Sequence, residues 1–395
     1  MKKYPKYIIA LIACVAMLGG CSGTARIDYA DTYIEGQDSQ ENLISYGNFN
    51  IYAQDENSFY FICDGFLYSI NKASKKCQPL CNRSDCMHDE ETSFEEIKKC
   101  RAFIDSDNDD LAINGEYIYY KTISSEPDKD GIMRSYDEIS RISLKDLKTE
   151  TVYKTEDNCI GHLKIHRGYI YLTMMKWDSE GMADEDKMDM YRFSINGNPS
   201  PEKIVPLQKQ RKKYNNMTVS DTRFYGNHIF FEINYTESEN EKLALINFDL
   251  DKKTWNDLND TINVNIDTSF TIYNDKVIFG SANNVFECNY DGTKLKKILN
   301  GKKLLKGYKY FTPYCNDGEL LYITAANSYN DYSQNVIVCD KEYNVKLKKL
   351  PLKIKPLIGF NKEAFIQKYN SELYWIDKSS YKAKKIYEFS VTHDD

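Results

Sequence analysis

The feature that most constrains the fold of this 395-residue chain is a weak repeat, present in seven copies. The first element of each copy is a polar turn that leads into a short strand of apolar and aromatic residues. Equivalent positions of this strand are 59, 119, 171, 230, 278, 321 and 365, spaced 43 to 60 residues apart. Repeats of this period are typical of proteins in which one small structural unit is repeated.

Two further elements complete each copy. The second is an apolar residue, two variable residues, an apolar residue and a turn former, as in Leu67–Asn71, and the third is a basic residue entering another strand, as in Lys203–Leu207 and Lys349–Leu352. Several strands per copy, seven times over, predict an all-β fold, a β-propeller of seven four-stranded blades. A generic all-β protein with similar hairpins is the alternative. We expect ring closure by pairing of a strand near Asn48–Ala53 with the last strand, Lys385–Val391.

The N-terminus carries a pattern of a different kind. Lysines at the start precede an apolar run from Tyr7 to Met17, and Leu18-Gly19-Gly20-Cys21 closes the run. It is too short to span a bilayer as a mature helix, which needs about 20 residues. The pattern resembles the lipobox of bacterial lipoproteins, and an ordinary secretory signal with a coincidental cysteine is the alternative. The resemblance implies that residues 1–20 are a signal peptide and that Cys21 carries two fatty acyl chains such as palmitate, enough for stable anchoring to the cell membrane on its extracytoplasmic side.

The mature chain is acidic and aromatic. Loss of residues 1–20, with three lysines and no acidic residue, changes the formal charge from −7 to −10, which disfavours nucleic acid as a partner. The 32 tyrosines and 42% hydrophobic residues of the full chain suit many half-buried strands. Residues 22–45 are polar and without sustained periodicity. We therefore expect a lipidated cysteine and flexible tether over 21–45, followed by a propeller over 46–395.

The repeat assigns a structural role to several of the eleven cysteines. Cys288 and Cys339 take the place of the last apolar residue of the second element, and Cys315 and Cys77 also match apolar positions of other copies. These four are predicted to be small buried apolar residues. Cys63 and Cys159 match no repeat position and are left unassigned.

Three cysteines fall where the repeat does not, in an insertion at 81–100 between the first and second copies. Cys81, Cys86, His88 and Cys100 form a Cys₃His set, which suits tetrahedral structural zinc. Because an extracytoplasmic address permits disulfides, a disulfide-stapled loop is the second interpretation, and free thiols are the third. Both leading interpretations are structural, since a fully ligated site leaves no position open for catalysis.

The lipobox and the repeat region together resemble propeller-bearing lipoproteins of clostridia and related Firmicutes, most of which have no assigned activity. Similar Pro-Leu-Cys…Cys-x-His…Cys loops recur in that family, which implies that the insertion belongs to the module. The resemblance does not imply a ligand.

The composition and motifs favour a binding or protein-interaction module whose ligand is a small molecule, a glycan or a protein. We expect the ligand to meet loops at one end of the channel, such as 123–137, 176–189 and 236–242. The alternative is an extracytoplasmic enzyme acting on a glycan or peptide at the propeller channel. The sequence has no Gly-x-Ser-x-Gly, phosphate-binding glycine loop or His-Glu-x-x-His motif, so it selects no catalytic residue.

Overall fold

The computed structural model is a ring of seven four-stranded antiparallel sheets, which confirms the predicted seven-bladed β-propeller. It describes residues 34, 38, 52–86, 94–104, 110–127, 129, 131, 133–177, 183–328, 335–349, 357–369 and 371–389. In each blade four consecutive strands lie side by side in chain order, with the first innermost. In the described part of the chain, no helix is long and apolar enough to cross a bilayer.

The first four blades contain the longest strands. Blade 1 has β1 (Tyr52–Gln54), β2 (Ser58–Cys63), β3 (Phe66–Asn71) and β4 (Cys77–Pro79). Blade 2 has β5 (Leu111–Asn114), β6 (Tyr117–Pro127), β7 (Met133–Ser143) and β8 (Thr149–Thr155). Blade 3 has β9 (Asn158–His166), β10 (Tyr169–Trp177), β11 (Ala183–Ser194) and β12 (Glu202–Val205). Blade 4 has β13 (Thr218–Tyr225), β14 (His228–Glu237), β15 (Asn240–Asp249) and β16 (Thr254–Asp257).

The last three blades are more compact. Blade 5 has β17 (Phe270–Tyr273), β18 (Lys276–Ser281), β19 (Asn284–Cys288) and β20 (Lys296–Asn300). Blade 6 has β21 (Tyr310–Asn316), β22 (Leu321–Ala326), β23 (Asn335–Cys339) and β24 (Val345–Leu347). Blade 7 has β25 (Leu357–Phe360), β26 (Ala364–Tyr369), β27 (Glu372–Asp377) and β28 (Ala383–Glu388).

Short helices occupy links between blades. They are α1 (Phe94–Ile97), a 3₁₀ helix (Leu207–Lys212), α2 (Leu258–Thr261) and α3 (Gly301–Leu304). The side chains of Asp257 and Asn300 cap α2 and α3 by accepting backbone N–H hydrogen bonds, which satisfies donors that the first helical turn leaves unpaired. The links thus continue the chain from the outer strand of one blade to the inner strand of the next.

The repeat elements correspond to the second and third strands of each blade. In four copies, the repeat alignment of the first element is wrong by one residue. The alignment placed residues 119, 171, 230 and 278 at the position of Phe59. In the structure that position is held by Ile118, Ile170, Ile229 and Val277. Neighbouring positions are both buried there, since each blade packs on both faces, so the apolar pattern does not distinguish them. The fourth strand of blade 6 is β24 rather than a strand at Lys349–Leu352, of which residues 350–352 lie outside the described range.

Seven apolar clusters fill the seven interfaces between neighbouring blades. The cluster between blades 7 and 1 closes the ring. In it, the Phe389 ring lies 5.3 Å from that of Tyr68, and the Trp375 ring lies 6.2 Å from that of Phe59. Each fully buried side chain of this size contributes about 1.5–3 kcal/mol, so packing alone is enough to hold the joint.

The predicted strand exchange at ring closure is wrong. β1 pairs with β2 inside blade 1, and β28 pairs with β27 inside blade 7. Each of these two blades already has four consecutive strands, so neither has a vacant position for a strand from the other end of the chain. Residues 48–51, 390 and 391 of the predicted pair lie outside the described residues.

Candidate functional site

The alternating strand directions give the ring two unlike faces. The turns between first and second strands and between third and fourth strands lie on one face, which we call the turn face. The hairpins between second and third strands, and the links between blades, lie on the opposite face, which we call the hairpin face. The predicted ligand loops 123–137, 176–189 and 236–242 are all hairpins between second and third strands, so the structure places them on the hairpin face together.

Blades 2, 3 and 4 extend the hairpin face. Their second and third strands run for 9 to 12 residues, against 6 in blade 1. In blade 2, β5 pairs with β6 only as far as Tyr120, and β8 pairs with β7 only as far as Asp137. The last four residue pairs of this hairpin, Ser124–Pro127 with Met133–Tyr136, therefore form a two-stranded ribbon that projects about 13 Å beyond its neighbours.

Large apolar side chains are exposed on these hairpins. Ile123 is 50% exposed, Met133 61% and Trp177 38%, and these are the exposed large apolar residues of the described part of the chain. All three lie on β6, β7 or β10. Exposed apolar groups scattered over a surface need no explanation, but these three are confined to the hairpin face in the described part of the chain.

The carboxylates at the base of the hairpins hold blades together. Asp137 accepts a hydrogen bond from the Ile160 N–H at 2.7 Å and lies 3.6 Å from Lys121 Nζ. Asp110 accepts from the Leu163 N–H at 3.2 Å, and its carboxylate lies 3.4 Å from His162 Nδ1. These buried groups join blade 2 to blade 3, so their contacts are structural.

A further buried carboxylate, that of Glu232, lies in blade 4. Glu232 accepts from Ser220 Oγ at 2.8 Å, and burial together with Asp221 raises the pKa of Glu232. Arg223 donates from Nε to Asp221 at 2.9 Å and stacks 4.7 Å from the centre of the Phe270 ring in blade 5. The guanidinium therefore balances the local charge and packs across a blade interface.

The thiols of Cys81, Cys86 and Cys100 lie close together, where the two ends of the insertion meet. Their three sulfur atoms all lie within 4.8 Å of one another. Arg83 links the chain segments that carry Cys81 and Cys100. Its Nη1 donates to the Lys99 carbonyl at 3.0 Å, and its backbone N–H donates to Cys81 Sγ at 3.5 Å. The fourth predicted ligand, His88, lies outside the described residues.

The two ends of the cluster have different acidities. Burial raises the pKa of the Cys100 thiol to about 12. Burial also acts to raise the pKa of Cys81, but hydrogen bonds from the backbone N–H groups of Arg83 and Arg101 outweigh it and hold that pKa below the usual value. Backbone N–H donors directed at sulfur favour the thiolate, which is the form that binds a metal.

The link that carries Cys100 is fixed to blade 1. Ala102 accepts from the Leu67 N–H, and Ile104 donates to the Gly65 carbonyl, both at 2.7 Å. Gly65 has a φ of +74°, and an added Cβ would lie 3.1 Å from the Phe103 ring. The turn at Gly65 therefore favours glycine, and Cys100 is held in a defined place beside it.

The burial predicted for four other cysteines is confirmed. Cys77, Cys288, Cys315 and Cys339 are buried, as predicted. Of the two unassigned cysteines, Cys63 is buried and Cys159 is partly exposed. None of the nine cysteines of the described residues is in a disulfide.

The turn face holds a site that sequence reasoning missed. Asp38, within the segment predicted as a tether, is buried between a turn of blade 3 and a turn of blade 4. Arg167 Nε donates to its Oδ1 at 2.5 Å, and the Gly226 N–H donates to its Oδ2 at 3.0 Å. These partners are 129 and 188 residues away along the chain, and each lies in an ordinary two-residue hairpin turn, so no local signal points to the contact.

No family model matches this sequence, and no curated protein matches it. Among solved structures, the chain is similar to an acylaminoacyl peptidase of Pyrococcus horikoshii, with 11% identity, a TM-score of 0.48, and coverage of 90% of this chain and 54% of that one. It is similar to the β-propeller domain of the Trilobed protease from Pyrococcus furiosus, with 10% identity, a TM-score of 0.45, and coverage of 88% and 97%. It is also similar to dipeptidyl peptidase 4 of Porphyromonas gingivalis, with 9% identity, a TM-score of 0.47, and coverage of 90% and 62%.

The chain thus spans about half the length of the first of these proteins and somewhat less than two thirds of the third. At these identities and TM-scores, we draw no functional argument from the likeness. The chain is an all-β protein with seven four-stranded propeller blades.

Proposed function

We propose that this protein is a lipid-anchored, extracytoplasmic β-propeller that acts as a binding or protein-interaction module through its hairpin face. The lipobox-like Leu18–Cys21 supports the anchor at Cys21. The observation that carries the binding role is that, among the residues whose burial the structure describes, the exposed large apolar side chains are restricted to the projecting hairpins of blades 2 and 3. The ligand is a small molecule, a glycan or a protein.

The buried acidic groups support binding over catalysis. Asp110, Asp137 and Glu232 each accept hydrogen bonds that join strands or blades. A general acid or base has to reach a substrate, whereas these side chains are enclosed by the protein. The hairpin face therefore offers contact area rather than an assembled catalytic pair.

A labelling experiment tests the anchor. Cells that produce the full chain are fed an alkyne fatty acid, and the protein is examined for incorporation. We expect label and membrane association in the wild type and neither in Cys21→Ala. A protein that is secreted without label would overturn the anchor.

A screen of bacterial surface glycans and envelope peptides tests the binding face. The wild type is compared with the triple variant Ile123→Ser, Met133→Ser, Trp177→Ala, and with Lys145→Ala on the turn face as control. We expect the triple variant to lose at least tenfold in affinity for any ligand found, and the control to keep it. Equal affinity in all three proteins would exclude the hairpin face as the binding surface.

A structural zinc at Cys81, Cys86 and Cys100, with His88 as the fourth ligand, is part of this proposal. Three convergent sulfurs fit one tetrahedral metal, whereas a disulfide joins two and leaves the third over. The backbone N–H groups around Cys81 suit a thiolate ligand. In this role the metal holds the insertion against blade 1, on the hairpin face.

Metal analysis of the full chain, purified anaerobically without chelator, tests the zinc site. We expect about one zinc per chain in the wild type, none in Cys86→Ser, and full occupancy in Cys159→Ser, which removes a partly exposed cysteine elsewhere. No zinc, together with fewer titratable thiols than cysteines, would show a disulfide-stapled loop instead.

A further inference from the structure

The site between blades 3 and 4 is built around a carboxylate. Arg167 contacts both oxygens of Asp38, with Nε–Oδ1 at 2.5 Å and Nη2–Oδ2 at 3.2 Å, and the Gly226 N–H adds a third donor. His166 lies beside the pair, with Nδ1 at 4.0 Å from Oδ1. The side chains of Asp38 and Arg167 are 0% and 2% exposed.

This degree of burial separates the contact from a surface ion pair. Burying a charge is costly unless it is paired and hydrogen-bonded, and here a two-point guanidinium contact and a backbone N–H satisfy the carboxylate. The Asp38 N–H also donates to the Ile34 carbonyl at 2.9 Å. A segment that merely passed over the ring would not need these interactions.

The location of the site shows on which face Asp38 meets the ring. The turns Arg167-Gly168 and Gly226-Asn227 join first and second strands, so they lie on the turn face. β1 begins on the hairpin face, because first strands start where the links between blades end. Asp38, 17 residues after Cys21, is therefore attached to the face opposite the one on which β1 begins at Tyr52.

We propose that Asp38 docks the N-terminal segment onto the turn face between blades 3 and 4, and that this turns the hairpin face away from the membrane. The second half of the proposal rests on the lipid anchor at Cys21. The 17 residues from Cys21 to Asp38 span at most about 60 Å. Because the anchored end of the chain meets the ring on the turn face, that face is the nearer one to the bilayer, and the projecting hairpins are presented to ligands in the surrounding space.

Hydrogen exchange on the full chain in detergent tests the docking. We expect peptides covering residues 30–45 and the turn at Gly226 to exchange at least tenfold faster in Asp38→Asn than in the wild type. Arg167→Gln is expected to reproduce the effect from the other side of the contact. Asp31→Asn removes an equal charge from the same segment and serves as the control. Equally fast exchange in wild type and Asp38→Asn would overturn the docking.

Quenching in vesicles tests the orientation. A fluorophore is placed at Lys145→Cys on the turn face or at Met133→Cys on the hairpin face, and the vesicles carry a headgroup quencher. The unsubstituted chain, labelled in parallel, gives the background from native cysteines. We expect stronger quenching at 145 than at 133, and loss of that difference in Asp38→Asn. Equal quenching in the wild type would overturn the orientation.

The mass of the same sample shows whether Cys21 is acylated. A chain without acyl groups that still shows the exchange effect of Asp38→Asn contradicts the anchor and leaves the docking standing. An acylated chain without that effect contradicts the docking and leaves the anchor standing.

Discussion

The turn face of the ring and the outer ends of its long hairpins differ in how charge is used. On the turn face, Asp38–Arg167 and Asp317–Lys378 are ion pairs with side chains that are almost fully buried, and each joins neighbouring structural units. At the outer end of the blade 2 hairpin, Arg134 and Glu156 pair at 3.4 Å with both side chains about half exposed. Exposed pairs contribute little to stability, whereas breaking a buried pair is costly.

The buried ion pairs hold neighbouring blades together, whereas the outer ends of the long hairpins carry exposed apolar groups. We therefore expect substitutions in the buried pairs to change the free energy of unfolding, and substitutions at the hairpin ends to change binding.

The largest effect is expected at Asp317. Its Oδ2 accepts from Lys378 Nζ at 2.7 Å across blades 6 and 7, and burial lowers the pKa of Lys378. Asp317→Leu leaves this lysine buried without its partner, so we expect a loss of about 3–5 kcal/mol in the free energy of unfolding, measured by denaturant titration. The double variant Asp317→Leu, Lys378→Met should recover at least half of the loss. A single-variant loss below about 1 kcal/mol would break the comparison.

The next largest loss of stability is expected at acid pH, through His166 on the turn face. Burial lowers the pKa of His166 to about 4, with Asp38 opposing and Arg167 adding to the shift. Above pH 6.5 the imidazole is neutral in both states, but between pH 6.5 and 4 only the unfolded chain takes up the proton. Stability therefore falls as the pH falls through this window, by about 3 kcal/mol at pH 4. Denaturant titrations across this pH range should show a flatter profile for His166→Gln, and identical profiles would contradict the assignment.

Loss of the thiol cluster should act locally. Cys86→Ser removes one thiol of the cluster from a link that is outside the blade sheets, so we expect rapid proteolysis within residues 81–104 and a global unfolding free energy within about 1 kcal/mol of the wild type. Cys159→Ser is the matched control and should leave the link resistant. Unfolding of the whole ring in Cys86→Ser would show that the hairpin face also carries the fold.

The smallest stability effect for each substitution is expected from the exposed apolar residues. The triple variant Ile123→Ser, Met133→Ser, Trp177→Ala should lose no more than about 0.5 kcal/mol of unfolding free energy for each substitution, since these side chains lie on the exposed surface. A much larger loss would show that the hairpins are packed in solution, and the surface would no longer be suited to binding.

The parts of the fold that sequence could predict are those that repeat. Turn residues, short aromatic strands and a period of 43 to 60 residues were enough for seven blades, because each blade has to bury both faces against its neighbours. The same logic found Cys288 and Cys339, which replace an apolar residue in the second element. It could not find the register of every strand, because adjacent positions such as Ile118 and Tyr119 are both buried.

The parts that the sequence could not predict depend on long-range contacts that occur once and do not repeat from blade to blade. Phe389 closes the ring by packing against blade 1, and such packing leaves no strand-pairing pattern in the sequence. The expected strand exchange was wrong for that reason. Asp38 is one acidic residue in a polar stretch, and only the fold brings it to Arg167. The Cys₃ cluster was found because it breaks the repeat, while the place of His88 stays a prediction.

The contact at Asp38 also sets the path of mechanical load. Tension on the chain ahead of Asp38 is delivered to the turns of blades 3 and 4 through a buried, two-point ion pair. The joint between blades 7 and 1 has no shared strand among the described residues, and a pull delivered through Asp38 reaches the ring at blades 3 and 4 instead. The tethered end of the chain is thus held away from the joint at which the ring closes.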